Sequence, residues 1–281
     1  AKAQSIYKQI LTIDPNDVDA LFGFGILAQD LKQVDIASAI FSKLIEIDDT
    51  YCQAFFQRGR LHSLNKNYSL AIKDFGAALA IDPDFFEAIS SRGIAHTRQS
   101  DFDAALADFC AAVQLRPKSA DAYYNRALAY KNLGKFDLAV ADYTKAIAHN
   151  PSHFQALNNR GMAFRELRLF KEAIADFGDC VALKPAFADG YLNKALTHFM
   201  IGDYENAWRL YEHRWDSPNF TSKKRDFDKP LWLGNPSLIG KTILLHSEQG
   251  LGDTIQFARY AKSLVDLGAT VFLEVQRHLK K

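Results

Sequence analysis

A period of 34 residues runs from the start of the chain to Trp215 without an insertion or deletion. Aromatic side chains recur at this interval seven times: Tyr7, Phe41, Phe75, Phe109, Tyr143, Phe177 and Tyr211. Alanine follows a second track at the same interval: Ala3, Ala37, Ala71, Ala105, Ala139, Ala173 and Ala207. Aromatic residues make up only 12% of the chain, so seven consecutive matches are not coincidental. The period restricts the chain to a stack of similar units that bury their faces against one another.

Each unit has the pattern of two helices joined by a short turn. In residues 120–153, apolar residues have helical spacing over 122–133 and again over 136–148. Asn150 ends the second helix, because the residue before a proline is displaced from helical geometry. A third track carries small residues that let the two helices approach closely: Gly25, Gly59, Gly93, Ala127, Gly161 and Ala195.

Each repeat thus has two positions with small residues and one with an aromatic residue, and most repeats have a proline after the second helix. This pattern resembles the tetratricopeptide repeat. The resemblance implies an all-α fold, a right-handed superhelix (an α-α solenoid) with a concave groove lined by the first helices. It divides residues 1–216 into a half repeat and six repeats: 1–17, then 18–51, 52–85, 86–119, 120–153, 154–187 and 188–216. A linker (217–240) and a short α/β segment (241–281) follow. The chain opens at Ala1 in the middle of the pattern, so we expect it to be a piece of a longer protein.

Composition excludes several classes of function. The 34 Lys and Arg against 33 Asp and Glu give a net charge of +1. The chain is therefore not strongly basic, as nucleic-acid-binding domains typically are. No apolar run approaches the ~20 residues of a membrane-spanning helix. The three cysteines are far apart and offer neither a disulfide framework nor paired metal ligands. We therefore expect a cytoplasmic protein that binds no metal, nucleic acid or membrane.

The predicted groove carries a row of amides. In tetratricopeptide proteins the second, fifth, sixth, ninth and twelfth positions of the first helix face the groove. By this resemblance the sixth position carries Gln57 and, in three successive repeats, Asn125, Asn159 and Asn193. An asparagine amide both donates and accepts, so it can pair with a peptide backbone whatever the peptide's side chains. The row resembles the asparagine ladder of protein O-linked N-acetylglucosamine transferases; the alternative is that asparagine is simply common at this position.

The fifth and second positions add to the description of the groove. The fifth position carries Phe22, Phe56, Tyr124 and Asn158, and its aromatic rings suit partner side chains. The second position is acidic or amide-bearing: Asp19, Gln53, Glu87, Asp121, Gln155 and Asp189. Co-chaperone tetratricopeptide domains hold acidic C-terminal tails with Lys and Arg at these positions. We therefore expect a protein or peptide partner, but not an acidic tail.

Arginine and aspartate each recur on a track at the repeat interval, and each of these aspartates lies sixteen residues after an arginine. The pairs are Arg58 and Asp74, Arg92 and Asp108, Arg126 and Asp142, and Arg160 and Asp176. Both tracks fail together in the first repeat, which has Phe24 and Ile40 instead. This predicts ion pairs between helices or between repeats that set the repeat geometry. The histidines lie at packing or turn positions and are expected to be structural.

The pattern changes after Trp215. A strand (241–246), a tight loop (248–253), a helix (254–267) and a second strand (270–275) predict a strand–helix–strand unit. Together with GDY (202–204) and YEHRW (211–215), this part resembles bacterial proteins that join tetratricopeptide repeats to a glycosyltransferase of two Rossmann domains, akin to the heptosyltransferases.

The glycosyltransferase resemblance implies roles for three residues of the loop. Asp253 corresponds to the general base that deprotonates the acceptor hydroxyl, and Gly250 and Gly252 shape the loop around it. The alternative is that Asp253 only caps a helix that begins at Thr254. The nucleotide-sugar domain of this class is missing from the 281 residues, so we expect this chain to hold no cofactor and to catalyse nothing by itself.

Three hypotheses follow from the sequence. The first is a binding scaffold whose groove recognises an extended protein or peptide segment. The second is the acceptor-recruiting arm of a bacterial glycosyltransferase whose parent uses a nucleotide sugar. The third is a scaffold that assembles with itself into a homo-oligomer.

Overall fold

The fold is described from a computed structural model of the chain. It describes residues 2–222, 224–232, 234, 237–248 and 250–279. The chain divides into two units, Ala1–Pro185 and Ala186–Lys281. Among the described residues, no helix combines the length and apolar character needed to cross a bilayer.

The first unit consists of helices that pack as successive hairpins. They are α1 (Lys2–Ile13), α2 (Val18–Asp30), α3 (Val34–Ile47), α4 (Cys52–Leu64), α5 (Tyr68–Ile81), α6 (Phe86–Arg98), α7 (Phe102–Leu115), α8 (Ala120–Asn132), α9 (Phe136–His149), α10 (Phe154–Glu166) and α11 (Phe170–Leu183). Each even-numbered helix pairs with the next helix, and that second helix packs on the first helix of the following hairpin. The predicted α-α solenoid is confirmed.

The small-residue track and the aromatic track meet within the four hairpins that have glycine on the first of these tracks. A Cβ atom added to Gly93 would lie 2.6 Å from the ring of Phe109, sixteen residues later. Gly25, Gly59 and Gly161 face Phe41, Phe75 and Phe177 in the same way, at 2.6 to 2.8 Å. These four rings are almost fully buried. The aromatic side chain therefore packs on the first helix of its own hairpin, where glycine leaves room for it.

Tyr143 holds the same position in the fourth repeat, but its hydroxyl is an exception in the core. The side chain is fully buried, and the hydroxyl finds no hydrogen-bond partner among the described residues. Burial raises the pKa of this phenol. A buried polar group without a partner destabilises the folded state.

We expect Tyr143→Phe to raise the free energy of unfolding by about 1 kcal/mol, because it removes the unpaired hydroxyl and keeps the ring. Urea denaturation followed by circular dichroism measures the change. The matched control is Phe109→Tyr, which places a hydroxyl at the equivalent position and should lower stability. A loss of stability in Tyr143→Phe would mean that the hydroxyl is satisfied.

In the first unit, the turn between the two helices of each hairpin has a left-handed residue. Lys32, Lys66, Ser100, Gly134 and Arg168 have φ between 59° and 72°. Only one of these five residues is glycine, the residue that tolerates this conformation without strain. The helical hairpin therefore imposes the turn even where the sequence does not favour it.

The second unit contains one more hairpin, a connector and a small α/β element. Its elements are α12 (Ala188–Met200), α13 (Tyr204–Tyr211), a 3₁₀ turn (Glu212–Asp216), β1 (Thr242–His246), α14 (Leu251–Ala258), α15 (Tyr260–Asp266), β2 (Thr270–Glu274) and a 3₁₀ turn (Arg277–Leu279). The two strands pair in parallel, with Thr242 opposite Thr270 and His246 opposite Glu274. Leu238, Leu264 and Ala269 form a small core with one face of the strands.

The strand–helix–strand prediction is confirmed, but its helix differs from the expected one. The helix begins at Leu251 rather than Thr254, and Arg259 divides it into α14 and α15. On the strand face away from the core, Leu244 is 45% exposed and its register partner Phe272 is 62% exposed.

Candidate functional site

The arginine–aspartate tracks form ion pairs within each hairpin of the first unit. Arg126 Nε donates to Asp142 Oδ2 at 2.6 Å, and Nη2 donates to Oδ1 at 2.8 Å. The same two-point geometry joins Arg58 to Asp74 and Arg160 to Asp176. Arg92 also contacts both carboxylate oxygens of its aspartate. The predicted pairs between helices are confirmed.

Arg58 and Arg160 also reach the preceding hairpin. Arg58 Nη1 donates to Ser42 Oγ at 3.1 Å, and Arg160 Nη1 donates to Thr144 Oγ1 at 3.0 Å. Their partners lie sixteen residues before the arginine, on the second helix of the previous repeat. Each of these guanidinium groups therefore joins three helices, which is a structural role.

Residues at three predicted groove positions form a hydrogen-bonded cluster on α8 and α10. Asn159 Nδ2 donates to Tyr124 Oη at 3.0 Å, and Lys131 Nζ donates to Asn159 Oδ1 at 3.2 Å. These residues hold the sixth, fifth and twelfth positions of their helices. Burial lowers the pKa of Lys131. Lys131 was not among the sequence-predicted site residues, although it lies on a groove position.

The remaining amides of the predicted groove have different surroundings. Asn125 is half-buried and makes no side-chain hydrogen bond with the described part of the chain. Gln57 Oε1 accepts a hydrogen bond from Arg60 at 3.0 Å. Asn158 is buried and its amide contacts the sulfur of Met162. Asn193 lies on α12, in the second unit.

The fifth-position aromatic rings pack inside the hairpins. The ring of Phe56 lies 5.8 Å from that of Phe75 and 4.8 Å from that of Phe85. Phe22 makes the equivalent contacts with Phe41 and Tyr51, and Tyr124 makes them with Tyr143 and His153. Each ring thus fills space next to the start of the following repeat. An aromatic residue or histidine directly before the first helix of that repeat is the sequence signal for this contact.

A cleft of about 530 Å³ opens between α4 and α6 of the first unit. Arg60 and Arg98 line it together with Lys66, and Ser91 and Ile94 also contribute to the lining. None of its lining residues, all of which the structure describes, carries a carboxylate. The three cations lie on different sequence tracks, which is why the repeat pattern did not indicate them.

The histidines have structural contacts. His153 Nδ1 accepts a hydrogen bond from the backbone N–H of Ala156 and caps α10. His198 lies 2.8 Å from the carboxylate of Asp203, which caps α13. In the part of the chain that the structure describes, His, Cys, Asp and Glu side chains form no group of three that could hold a metal ion.

The second unit has a larger cleft, of about 890 Å³, and it contains Asp253. Phe199 and Trp208 contribute to one wall, and Phe257 and Tyr260 contribute to another. Glu248 and Glu274 line the same cleft, as do His246 and Arg214. The cleft combines residues from the last hairpin with residues from the α/β element.

The structure changes the interpretation of the predicted loop. Gly250 is the N-cap of α14, and no side chain among the described residues caps the helix, so the alternative that Asp253 caps it is wrong. Gly252 and Asp253 lie within the first turn of α14. Gln249, which belongs to the predicted loop, lies outside the described residues. An acidic side chain in the first turn is favoured by the helix dipole.

Arg214 connects the last hairpin to the loop after β1. It is buried, and it donates from Nε and Nη2 to the two carboxylate oxygens of Glu248 at 3.0 and 2.8 Å. Its guanidinium also lies over the rings of Tyr211 and Trp215. Arg214 belongs to the YEHRW motif, but its contact could not be predicted from the sequence because its partner lies in an aperiodic segment of the chain.

The connector also occupies a predicted groove position in the second unit. Ser217 Oγ donates to Asp189 Oδ1 at 2.7 Å, and Asn219 Nδ2 donates to Asp189 Oδ2 at 3.3 Å. Asp189 holds the second position of α12. Its carboxylate is therefore used within the chain.

Comparisons with known proteins agree with this geometry. Tetratricopeptide-repeat family models match residues 53–85, 95–134, 120–153 and 154–187. A comparison with curated proteins found no match.

Several solved structures have a similar fold at low sequence identity. YrrB, described as a TPR protein with an unusual peptide-binding site, is 17% identical, with a TM-score of 0.59 over 70% of this chain and 97% of YrrB. A chain of the APC/C hetero-tetramer Cut9–Hcn1 is 17% identical, with a TM-score of 0.61 over 78% of this chain and 43% of its own. PilF of Pseudomonas aeruginosa is 17% identical, with a TM-score of 0.60 over 69% of this chain and 88% of PilF. From the repeat geometry and these matches, residues 53–85 and 95–187 of this chain are tetratricopeptide repeats.

Proposed function

We propose that the chain is a protein-interaction scaffold whose first helices hold an extended polypeptide segment. The observation that carries this proposal is the cluster of Tyr124, Asn159 and Lys131, which gathers a hydroxyl, an amide and an ammonium group on predicted groove positions. The likeness to YrrB supports it, since that protein is described as having a peptide-binding site.

A peptide backbone at Asn159 competes with hydrogen bonds that this amide already makes within the chain. The Asn159 amide donates one hydrogen bond to Tyr124 and accepts one from Lys131, whereas Asn125 has no such partner among the described residues. A peptide backbone offers an acceptor and a donor that can replace these two contacts. The net free energy of such an exchange is small, about 1 kcal/mol per hydrogen bond, so affinity depends on several repeats acting together.

The cationic cleft between α4 and α6 adds a second requirement on the partner. Arg60, Lys66 and Arg98 face no lining carboxylate there. A glutamate or aspartate side chain in the bound segment would supply the missing charge. We therefore propose that the segment is extended, is held through its backbone near Asn125 and Asn159, and carries an acidic side chain.

To test the proposal, a peptide that binds the immobilised chain is first selected from a random peptide display library. Its affinity is then measured for variants of the chain. We expect the double variant Asn125→Ala, Asn159→Ala to bind it at least about tenfold more weakly, because two amides that pair with its backbone are lost. Asn132→Ala is the matched control, since Asn132 is an exposed asparagine at the end of α8 that holds none of the predicted groove positions. Asn193→Ala, measured separately, tests the third asparagine of the row.

N-methylation of single peptide bonds distinguishes backbone recognition from side-chain recognition. It should weaken binding at the bonds held by asparagine and leave the others unchanged. Tyr124→Phe should strengthen binding, because it frees the Asn159 amide from an internal competitor. Unchanged affinity in the double variant and in Tyr124→Phe would reject the role of the asparagines.

We also propose a second function for a longer protein that includes this chain: transfer of a sugar from a nucleotide sugar, with Asp253 as the general base. The position of Asp253 in a cleft, free of an ion pair among the described residues, supports this role. The reading frame after Lys281 tests it. A second nucleotide-binding domain encoded there agrees with the proposal, and a stop codon soon after Lys281 contradicts it.

Self-association is a third proposal, supported by the exposed pair Leu244 and Phe272 on the two-stranded sheet. Light scattering over a range of protein concentrations tests it. Leu244→Lys should abolish a dimer that uses this face, and a strict monomer at high concentration contradicts the proposal.

A further inference from the structure

Three aromatic rings on α12 and α13 stand nearly perpendicular to one another. The ring centroids of Phe199 and Trp208 are 4.7 Å apart with an interplanar angle of 79°. Tyr211 lies 6.0 Å from each of them, at angles of 77° and 82°. In this arrangement no two of the three rings stack face to face. A cation is attracted to the face of an aromatic ring within about 6 Å of its centroid, so rings at these angles and spacings can attract one cation together.

The rings are accessible from the cleft of the second unit. Trp208 is 53% exposed and Tyr204, whose ring also contacts Phe199, is 61% exposed. Both line the cleft. An internal cation already contacts Tyr211, one of the three rings: the Arg214 guanidinium lies 5.0 Å from its centroid. The indole of Trp208, the ring type that binds cations best, has no such internal partner among the described residues.

The charged groups of the cleft are mostly acidic. Three carboxylates line it against one guanidinium, that of Arg214. Glu248 is paired with Arg214, and Glu274 is paired with Arg225 at 3.0 Å. Asp253 forms no ion pair with any residue that the structure describes. The cleft therefore combines exposed aromatic rings with a carboxylate that lacks a counter-charge.

We propose that this cleft binds an organic cation: an alkylammonium or guanidinium group attached to an apolar body. An anionic ligand would meet the carboxylates. A metal ion would need several oxygen ligands in one place, and aromatic rings do not supply them. A neutral apolar ligand would leave Asp253 without a counter-charge. A volume of about 890 Å³ lies within the range of small-molecule sites.

Indole ¹⁵N–¹H NMR signals of the intact chain test the proposal, because its three tryptophans give three signals. Choline is the cationic probe, and 3,3-dimethylbutanol is its uncharged isostere. We expect choline to move the Trp208 signal in a saturable manner and to bind about tenfold more tightly than the isostere. N-acetyl-lysine methylamide, titrated in parallel, distinguishes the source of the cation. Tighter binding of choline assigns the site to a free alkylammonium compound, and the opposite order assigns it to a lysine side chain of a polypeptide.

Variants locate the binding within the cleft. Trp208→Ala, followed through the remaining indole signals, should weaken choline binding about tenfold, and Asp253→Asn about threefold. Trp208→Phe keeps a ring and should retain part of the affinity. Leu267→Ala is the control, because Leu267 is an apolar residue of the second unit that is similarly exposed but does not line the cleft. Circular dichroism confirms that each variant is folded. Equal affinity for choline and its isostere, or no saturable shift with either cation, would overturn the proposal.

Discussion

Replacement of Arg126 by methionine should lower the free energy of unfolding by about 3 kcal/mol or more. Asp142, its partner, is only 3% exposed and receives two hydrogen bonds from the guanidinium. Methionine keeps most of the side-chain volume but leaves the carboxylate buried without a counter-charge. The cost of an unpaired buried charge exceeds that of the lost attraction itself. Urea denaturation followed by circular dichroism measures the effect.

Two further variants separate this explanation from a general effect of arginine loss. In the double variant Arg126→Met, Asp142→Leu no charge is left unpaired, so most of the stability should return. Arg116→Met is the exposed control: Arg116 pairs with Glu87 at 2.7 Å, but both side chains are about half exposed. Its loss should cost less than about 1 kcal/mol. A double variant as unstable as the sum of the two single ones would contradict the role of the buried pair.

Replacement of Phe109 by alanine should lower the free energy of unfolding by about 3–5 kcal/mol. The ring is 2% exposed and lies against Gly93, where glycine provides the space that the ring fills. Without the ring, the helix containing Gly93 faces a cavity that no side chain of its own can occupy. Thermal and urea denaturation of the purified variant give the magnitude.

The control for this prediction is Leu138→Ala, because Leu138 is a large apolar residue on a second helix but is about half exposed. It should cost less than about 1 kcal/mol. Equal losses in the two variants would mean that burial of the ring does not determine the effect. Phe109→Leu should lie between them, since part of the volume remains.

The features that repeat from one hairpin to the next could be predicted from the sequence. Residues that recur at the repeat interval predict where each hairpin begins and ends. They also predict the close approach at Gly93 and the pairing of Arg126 with Asp142. A period repeats the same contact many times, so a single sequence provides several independent observations of it. The pattern thus located helices and their partners without knowledge of the tertiary fold.

The features that do not repeat were harder to predict. The cleft of the second unit joins α13 to residues after β1, and its pair Arg214–Glu248 occurs once. The start of α14 was misplaced because Gly250 caps it through its backbone, without the side-chain cap that marks a helix start. The left-handed turn was also missed, because Lys66, Ser100 and Arg168 are not typical of that conformation.

The arginines that join three helices bear on how such a chain changes length during evolution. Ser42, Cys110 and Thr144 occupy equivalent positions, and each lies sixteen residues before the arginine that contacts it. Duplication or deletion of a gene segment that encodes one whole repeat would therefore give every arginine a small residue on one side and an aspartate on the other. Recombination between whole repeats preserves this bonding pattern, whereas an insertion of any other length interrupts it.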